Sequence, residues 1–251
     1  MTAPDSPVNQ LQHLIDTWPD TLDWSVTPYC CQLCRLYQGI LDGNQRLNLT
    51  RIIDPQDFLE KHLWDSLAGI LLSPVCRSVT QVSLIDIGTG GGFPGLPVAM
   101  IYPHWSVMLM DSTRKKIKFL NGLGQQLGLE NIHCVTGRAE TLGQASTHRE
   151  RYQLATLRAV GSAALCAEYG LPFLQLGGTL VLYRGQWQPS DAAELTAACE
   201  LLGGKVTTVI PHETPWTHSQ RHYVYVQKIN PTPADYPRAN GIPKQSPLGS
   251  E

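Results

Sequence analysis

The chain has 251 residues, with 19 Lys+Arg against 21 Asp+Glu and a formal net charge of −2, which excludes a generally basic nucleic-acid coat but leaves room for a local basic surface. No run of about 20 apolar residues is present and the N-terminus has no basic-then-apolar leader, so a soluble, cytoplasmic chain with no membrane partner is expected. Seven cysteines, an odd number, argue against a disulfide framework.

Residues 1–80 form the first unit, a helical extension, and the helical patterns lie in 6–80. Cys31-x-x-Cys34 lacks a second pair at zinc-site spacing and reads as two thiols on an amphipathic helix, with no metal. Phe58 to Leu67 carries an apolar stripe at helical spacing, and His62 and Asp65, three apart, share one helix face. That face either helps to close a site or to meet a nucleic acid, or it carries a structural hydrogen bond or an exposed pair.

From 81 to 230, strand and helix patterns alternate as in an α/β domain. Ser83 to Ile87 is a buried strand carrying Asp86, and Gly88, Gly90 and Gly92 follow where the chain must turn sharply and let a ligand approach the backbone. Pro94 and Pro97 fit the first turn of the next helix. Gly90-x-Gly92-x-x-Gly95 also satisfies the dinucleotide fingerprint, so the glycines alone leave a nicotinamide or flavin enzyme open. Asp86 adds Asp-x-Gly-x-Gly-x-Gly, which resembles the first motif of class I methyltransferases; these bind S-adenosylmethionine (SAM), and a carboxylate there can hold the methionine ammonium directly or through water.

The second strand, Trp105 to Asp111, ends in an acid where a βαβ unit meets ribose hydroxyls. Ser112 and Thr113 are placed to cap the helix that begins at Arg114. Arg114, Lys115, Lys116 and Lys118 are read first as a solvated helix face. A third strand, Asn131 to Thr136, precedes Gly137-Arg138-Ala139-Glu140. In class I methyltransferases that turn packs on adenine, so Ala139 and Glu140 are candidate contacts; the alternative is an ordinary helix start with Glu140 near its positive end. A fourth strand from Tyr152 delivers Arg158 to the carboxyl edge of the sheet, and it carries neither Asp/Asn-Pro-Pro-Tyr/Phe nor a Pro-Cys pair. A helix over about 190–202 and β-rich runs at Lys205–Ile210 and His222–Ile229 complete the domain. Residues 231–251 hold five prolines and little that could pack, and read as a disordered tail.

Asn48-Leu49-Thr50, His62-x-x-Asp65-Ser66, the Asp86–Gly95 loop, Asp111-Ser112, Arg158-Ala159-Val160, Arg184-Gly185-Gln186 and Gln220-Arg221-His222 occur in that order. Over about residues 30–230 the chain resembles the bacterial small-subunit ribosomal RNA guanine-N7 methyltransferase family, also called glucose-inhibited division protein B. The resemblance implies a Rossmann-like α/β fold: a mostly parallel seven-stranded sheet, helices on both faces, and an antiparallel last strand. It implies SAM as cofactor and N7 of a guanine in 16S ribosomal RNA as acceptor, in free RNA or in the small subunit. DNA is not an expected partner, and a monomer is expected.

By carry-over, Gly88, Phe93, Asp111, Ser112, Thr113, Ala139, Glu140 and Arg158 would bind SAM, and Asp86, Gly90 and Gly92 join them from the loop motif; His62 on its helix face and Arg184, Arg221 and His222 at the strand ends are candidates to meet RNA. No residue is a certain catalyst; Arg158, Arg184 and Arg221 are the candidates, and a ring nitrogen with its own lone pair needs neither base nor covalent adduct. Arg184 departs from the family, where Lys-Gly is commoner: the charge survives, the compact ammonium does not. A dinucleotide-dependent oxidoreductase and a non-enzymatic SAM-binding ribosome-assembly module remain open at this level.

Overall fold

The computed structural model describes residues 6–18, 22, 25–73 and 80–249; the parts of the helical extension at 1–5, 19–21, 23–24 and 74–79, and residues 250–251, lie outside them. Ser6 starts α1 (Pro7–Ile15), its hydroxyl accepting Asn9 N at 3.3 Å. Helix α2 (Cys30–Leu47) ends at Asn48, whose φ of 47° breaks the helix. Cys31 is exposed on it while Cys34 is buried, and burial pushes the Cys34 thiol up to about 12.

The stripe over 58–67 is helical, but not one regular helix. α3 (Pro55–Phe58) passes into a π-helical turn (Leu59–Trp64) and then α4 (Asp65–Leu71), and Asp65 N donates to Glu60 O. A π-turn widens the helix by one residue and recurs at functional sites. Fully buried Glu60 accepts Trp216 N and Thr217 N, both at 2.8 Å, and Thr217 Oγ1 at 2.6 Å, tying the extension to a distant loop. Burial pushes its carboxyl up, but these hydrogen bonds outweigh that and hold it below the usual carboxylate range.

The remaining elements are β1 (Ser83–Ile87), α5 (Gly95–Ile101), β2 (Ser106–Asp111), α6 (Arg114–Leu127), β3 (Ile132–Thr136), α7 (Ala139–Leu142), β4 (Tyr152–Arg158), α8 (Ala163–Gly170), β5 (Leu174–Arg184), α9 (Pro189–Leu202), β6 (Gly204–Glu213), β7 (Gln220–Lys228) and α10 (Ile242–Gln245). The seven strands make one sheet in the order β3-β2-β1-β4-β5-β7-β6. Only β7 runs against its neighbours, β5 and β6, as the class I pattern implies.

Because successive strand side chains point to opposite faces, the sheet divides its apolar residues between two cores. Leu84, Leu109, Leu154, Tyr183, Tyr223 and Tyr225 pack under α1, α2, the 55–71 segment, α5 and α6. Ile85, Ile87, Leu157, Leu182, Val224 and Val226 pack under α8 and α9. The same alternation fixes the functional side chains. Asp86, Arg158 and Arg221 fall on the face covered by the extension; Arg184, beside Tyr183, falls on the other, paired in register with His222.

The disordered-tail expectation is corrected. Residues 231–249 return across the domain: Thr232 is 5 % exposed, Leu248 is buried, and Arg238 pairs with fully buried Glu168 at 2.7 Å. Prolines remove backbone donors but leave carbonyl acceptors, and Arg149 donates to Thr232 O and Tyr236 O, both at 2.7 Å.

Candidate active site

Two clefts adjoin at the carboxyl ends of the strands. The first is lined by Ile87, Gly88, Met110, Asp111, Ser112, the Gly137–Glu140 turn, Val160 and Tyr169. Asp111 organises it: Oδ1 accepts Thr113 N at 2.8 Å and Oδ2 accepts Gly90 N at 3.1 Å, locking the glycine loop to the end of β2. Gly88 sits at φ 72°, and a Cβ there would lie 2.9 Å from Val160, so this position needs glycine both for its backbone and for its neighbour. Thr113 does occupy the N-cap of α6, but its hydroxyl makes no capping bond; the Asp111 carboxylate holds its N–H instead.

Glu140 is 4 % exposed, and Oε1 receives Arg138 Nη2 (2.7 Å), Gly241 N (3.0 Å) and the Tyr169 hydroxyl (3.2 Å). Burial pushes its carboxyl up, but the hydrogen bonds, Arg138's first, hold it below the usual range, so it stays an anion on the cleft wall.

Asp86 does not reach this cleft as an ammonium contact. Its carboxylate is 1 % exposed and is taken up by Thr89 Oγ1 (2.6 Å), Thr156 Oγ1 (2.9 Å) and Gly95 N (3.0 Å). It pins the loop to α5 and β4 from beneath, and burial pushes its pKa up despite those donors. Gly92 and Phe93 also face inward. A Cβ on Gly92 would lie 2.5 Å from Leu96, and Phe93 stacks flat on the His62 ring, centroids 4.3 Å apart.

The second cleft is lined by Asp65, Arg158, Ala159, Tyr183, Arg184, Gly185 and Arg221. It brings together three of the cations singled out from sequence, among them Arg158, which does not line the first cleft. Arg158 reaches Lys61 O (2.8 Å), Asp65 Oδ2 (3.1 Å) and His62 Nδ1 (3.1 Å). Asp65 Oδ1 also accepts the Tyr223 hydroxyl at 3.0 Å and lies 3.5 Å from Arg221 Nε. Arg184 donates to Gly161 O. His222 bonds Gly185 O at 2.6 Å but does not line the cleft. Between the clefts runs Arg158-Ala159-Val160, with Ala159 at φ 57°, a strained conformation for alanine that the surrounding contacts must hold.

His62, expected to meet RNA, is 8 % exposed and serves this framework. Nδ1 accepts from Arg158, so Nε2 carries the proton and donates to Thr50 Oγ1 at 2.7 Å. Burial, then the Arg158 charge, push its pKa from 6.5 down to about 3. Between those values the unfolded chain binds a proton that the folded one refuses, so stability is full above pH 6.5 and falls as pH drops toward 3. His62→Gln, which keeps one acceptor and one donor, should flatten that slope in denaturant titrations run from pH 7 to 4; an unchanged slope would remove His62 as its source.

A family model described as "GidB: rRNA small subunit methyltransferase G" matches residues 30–224. The chain belongs to this family. The Ribosomal RNA small subunit methyltransferase G of Synechococcus elongatus is 52% identical over 94% of this chain and 97% of its own length, and that of Trichormus variabilis 48% over 96% and 99%. Among solved structures, a mutant 16S rRNA (adenine(1408)-N(1))-methyltransferase from Catenulisporales acidiphilia with cosubstrate SAM aligns at TM-score 0.51 and 15% identity over 61% of this chain and 87% of that one. The branched-chain polyamine synthase from Thermus thermophilus with 5'-methylthioadenosine aligns at TM-score 0.54 and 12% identity over 67% and 57%. At these identities the likeness shows the fold alone.

Membership makes the chain a SAM-dependent methyltransferase of an rRNA-modifying family and closes the dinucleotide and non-enzymatic readings. The first cleft fits the cofactor. Ile87, Met110, Ala139 and Val160 offer an apolar lining suited to adenine, and Asp111 offers carboxylate oxygens that could accept from ribose hydroxyls. SAM supplies an electrophilic methyl on a sulfonium; the protein supplies orientation and a preset field. Asp111→Ala removes that acceptor and frees Gly90 N and Thr113 N, so SAM affinity should fall by about 1–3 kcal/mol in calorimetry. A folded variant that binds SAM as wild type does would take Asp111 out of the site.

Proposed function

We propose that this enzyme transfers the SAM methyl group to N7 of a guanine in 16S ribosomal RNA, working as a cytoplasmic monomer on RNA rather than DNA. The observation that carries the reading is the second cleft, where Arg158, Arg184 and Arg221 border a hollow adjoining the cofactor cleft. Guanidinium groups suit RNA phosphates and the O6 of a guanine, contacts that leave the N7 lone pair free to take the methyl group. The carboxylate there, Asp65, is engaged by Arg158, Tyr223 and Arg221, and so is not free to act as a base. Methylation of a ring nitrogen that already owns a lone pair asks for none. The close relatives, named small-subunit rRNA methyltransferases, point the same way.

Mass spectrometry of 16S rRNA from a strain lacking the gene should show one 7-methylguanosine missing, restored by the wild-type gene and not by Asp111→Ala. An unchanged modification pattern would overturn the assignment. The purified enzyme, offered naked 16S rRNA and assembled subunits in parallel, identifies which of them is methylated.

A further inference from the structure

The family match ends at residue 224, yet the chain continues into a packed segment whose contacts converge on the cofactor cleft. Gly241 N donates to Glu140 Oε1 at 3.0 Å, and Thr141 Oγ1 bonds Asn240 Oδ1 at 3.1 Å, so the first turn of α7 is held directly. Arg238 embraces Glu168 with both Nε (2.9 Å) and Nη2 (2.7 Å) and donates its backbone N at 2.9 Å. Glu168 is fully buried and is the α8 neighbour of Tyr169, whose hydroxyl reaches the same Glu140 oxygen. Arg149 joins the end of α7 to the segment through Gly143 O (3.0 Å) and Tyr236 O (2.7 Å). Every one of these anchors flanks α7 or α8, the two helices that present Glu140 and Tyr169 to the cleft.

We propose that residues 231–249 are a clasp that positions Glu140 and Tyr169 against the adenine end of SAM, so that the C-terminal segment sets cofactor affinity. Arg238 and Gly241 are then positioning residues, acting through Glu168 and Glu140. Paired charge-assisted bonds fix the segment's register at Arg238, and that register delivers the Gly241 N–H. Gly241, at φ 89°, turns the backbone so that this N–H points back to the carboxylate, and a Cβ there would meet nothing closer than 3.9 Å. A side chain at 241 is therefore excluded by backbone conformation alone.

The proposal rests on the reading that the first cleft holds SAM. Its test uses the full-length enzyme with Arg238→Ala, Arg238→Lys and Gly241→Val, and with Asp111→Ala as the cleft control. SAM and adenosine binding are measured by calorimetry well below each variant's melting temperature, beside KM and kcat for both substrates. Arg238→Ala and Gly241→Val should each weaken SAM and adenosine about tenfold, the scale of one or two hydrogen bonds. The rise should appear in KM for SAM, with kcat and KM for RNA within about twofold, and Arg238→Lys should recover part of the loss. SAM affinity within twofold of wild type in both folded variants would overturn the clasp, as would an equal rise in KM for RNA. If Arg238→Ala does not fold, Gly241→Val decides, because a Cβ there meets nothing closer than 3.9 Å and the substitution acts through one half-buried turn. An Asp111→Ala enzyme that binds SAM normally would instead overturn the cleft reading itself.

Discussion

Asp65→Ala is expected to cost about 3 kcal/mol of folding stability, near the lower end for breaking a buried charged pair. The Asp65 carboxylate is 5 % exposed as a residue and serves Arg158, the Tyr223 hydroxyl and Arg221 together. Removing it leaves a buried hydroxyl without its acceptor and a guanidinium, 14% exposed, short of its counter-ion. Arg221, at 21%, can turn to water, which is why the upper end is not reached. Asp65→Asn keeps an acceptor but not the charge and should lose roughly half as much. Denaturant melts without SAM read the difference. A loss below about 1 kcal/mol for the alanine variant would mean that the tyrosine and both arginines find other partners, and that the cationic cleft does not depend on this acid.

How much of this was legible in the sequence follows from which contacts are local. The glycine loop declared itself because its geometry is a chain-local matter: a strand, then positive φ at Gly88, Gly90 and Gly92, then a helix. Asp111 was legible for the same reason, as the last residue of the next strand. The burial of Asp86 was not legible because its three donors come from the glycine loop (Thr89), α5 (Gly95) and β4 (Thr156), and no spacing rule shows them closing over it. Arg158 was read from its distance to the sheet edge. Strand alternation would have served better: Leu154, Thr156 and Arg158 share a face, and that face lies under the helical extension. The π-turn at Leu59–Trp64 was invisible to an i, i+3, i+4 stripe, because a single inserted residue leaves the apolar count intact. The C-terminal segment was misread because its anchors, Glu140, Arg149 and Glu168, stand some 70 to 100 residues earlier in the chain. Proline content reports what a segment cannot donate and says nothing of what the rest of the protein can offer it.

Arg158→Ala should abolish most methyl transfer, by about 100-fold or more in kcat/KM, while SAM affinity stays within about twofold. The reasoning is geometric. One guanidinium spans a carbonyl of the π-turn, the Asp65 carboxylate and the His62 ring, and lies 5.6 Å from the centroid of Phe93. Those contacts fix the Arg158-Ala159-Val160 wall, with Ala159 facing the second cleft and Val160 the first. Loss of the guanidinium thus removes a cation from the acceptor side and loosens the partition that aligns acceptor with methyl donor, where small displacements are costly to rate. Arg158→Lys should rescue little, since a compact ammonium cannot serve three acceptors fixed in a guanidinium fork. Arg221→Ala and Arg184→Ala, at the outer edge, should instead lower RNA affinity and flatten its salt dependence by about one phosphate contact each, with SAM binding unmoved. The decisive comparison is a salt series of RNA binding beside SAM calorimetry for all four variants. Should Arg158→Ala lose SAM while keeping RNA affinity and its salt slope, the guanidinium would belong to the cofactor cleft after all, and the partition between the two clefts would have to be redrawn.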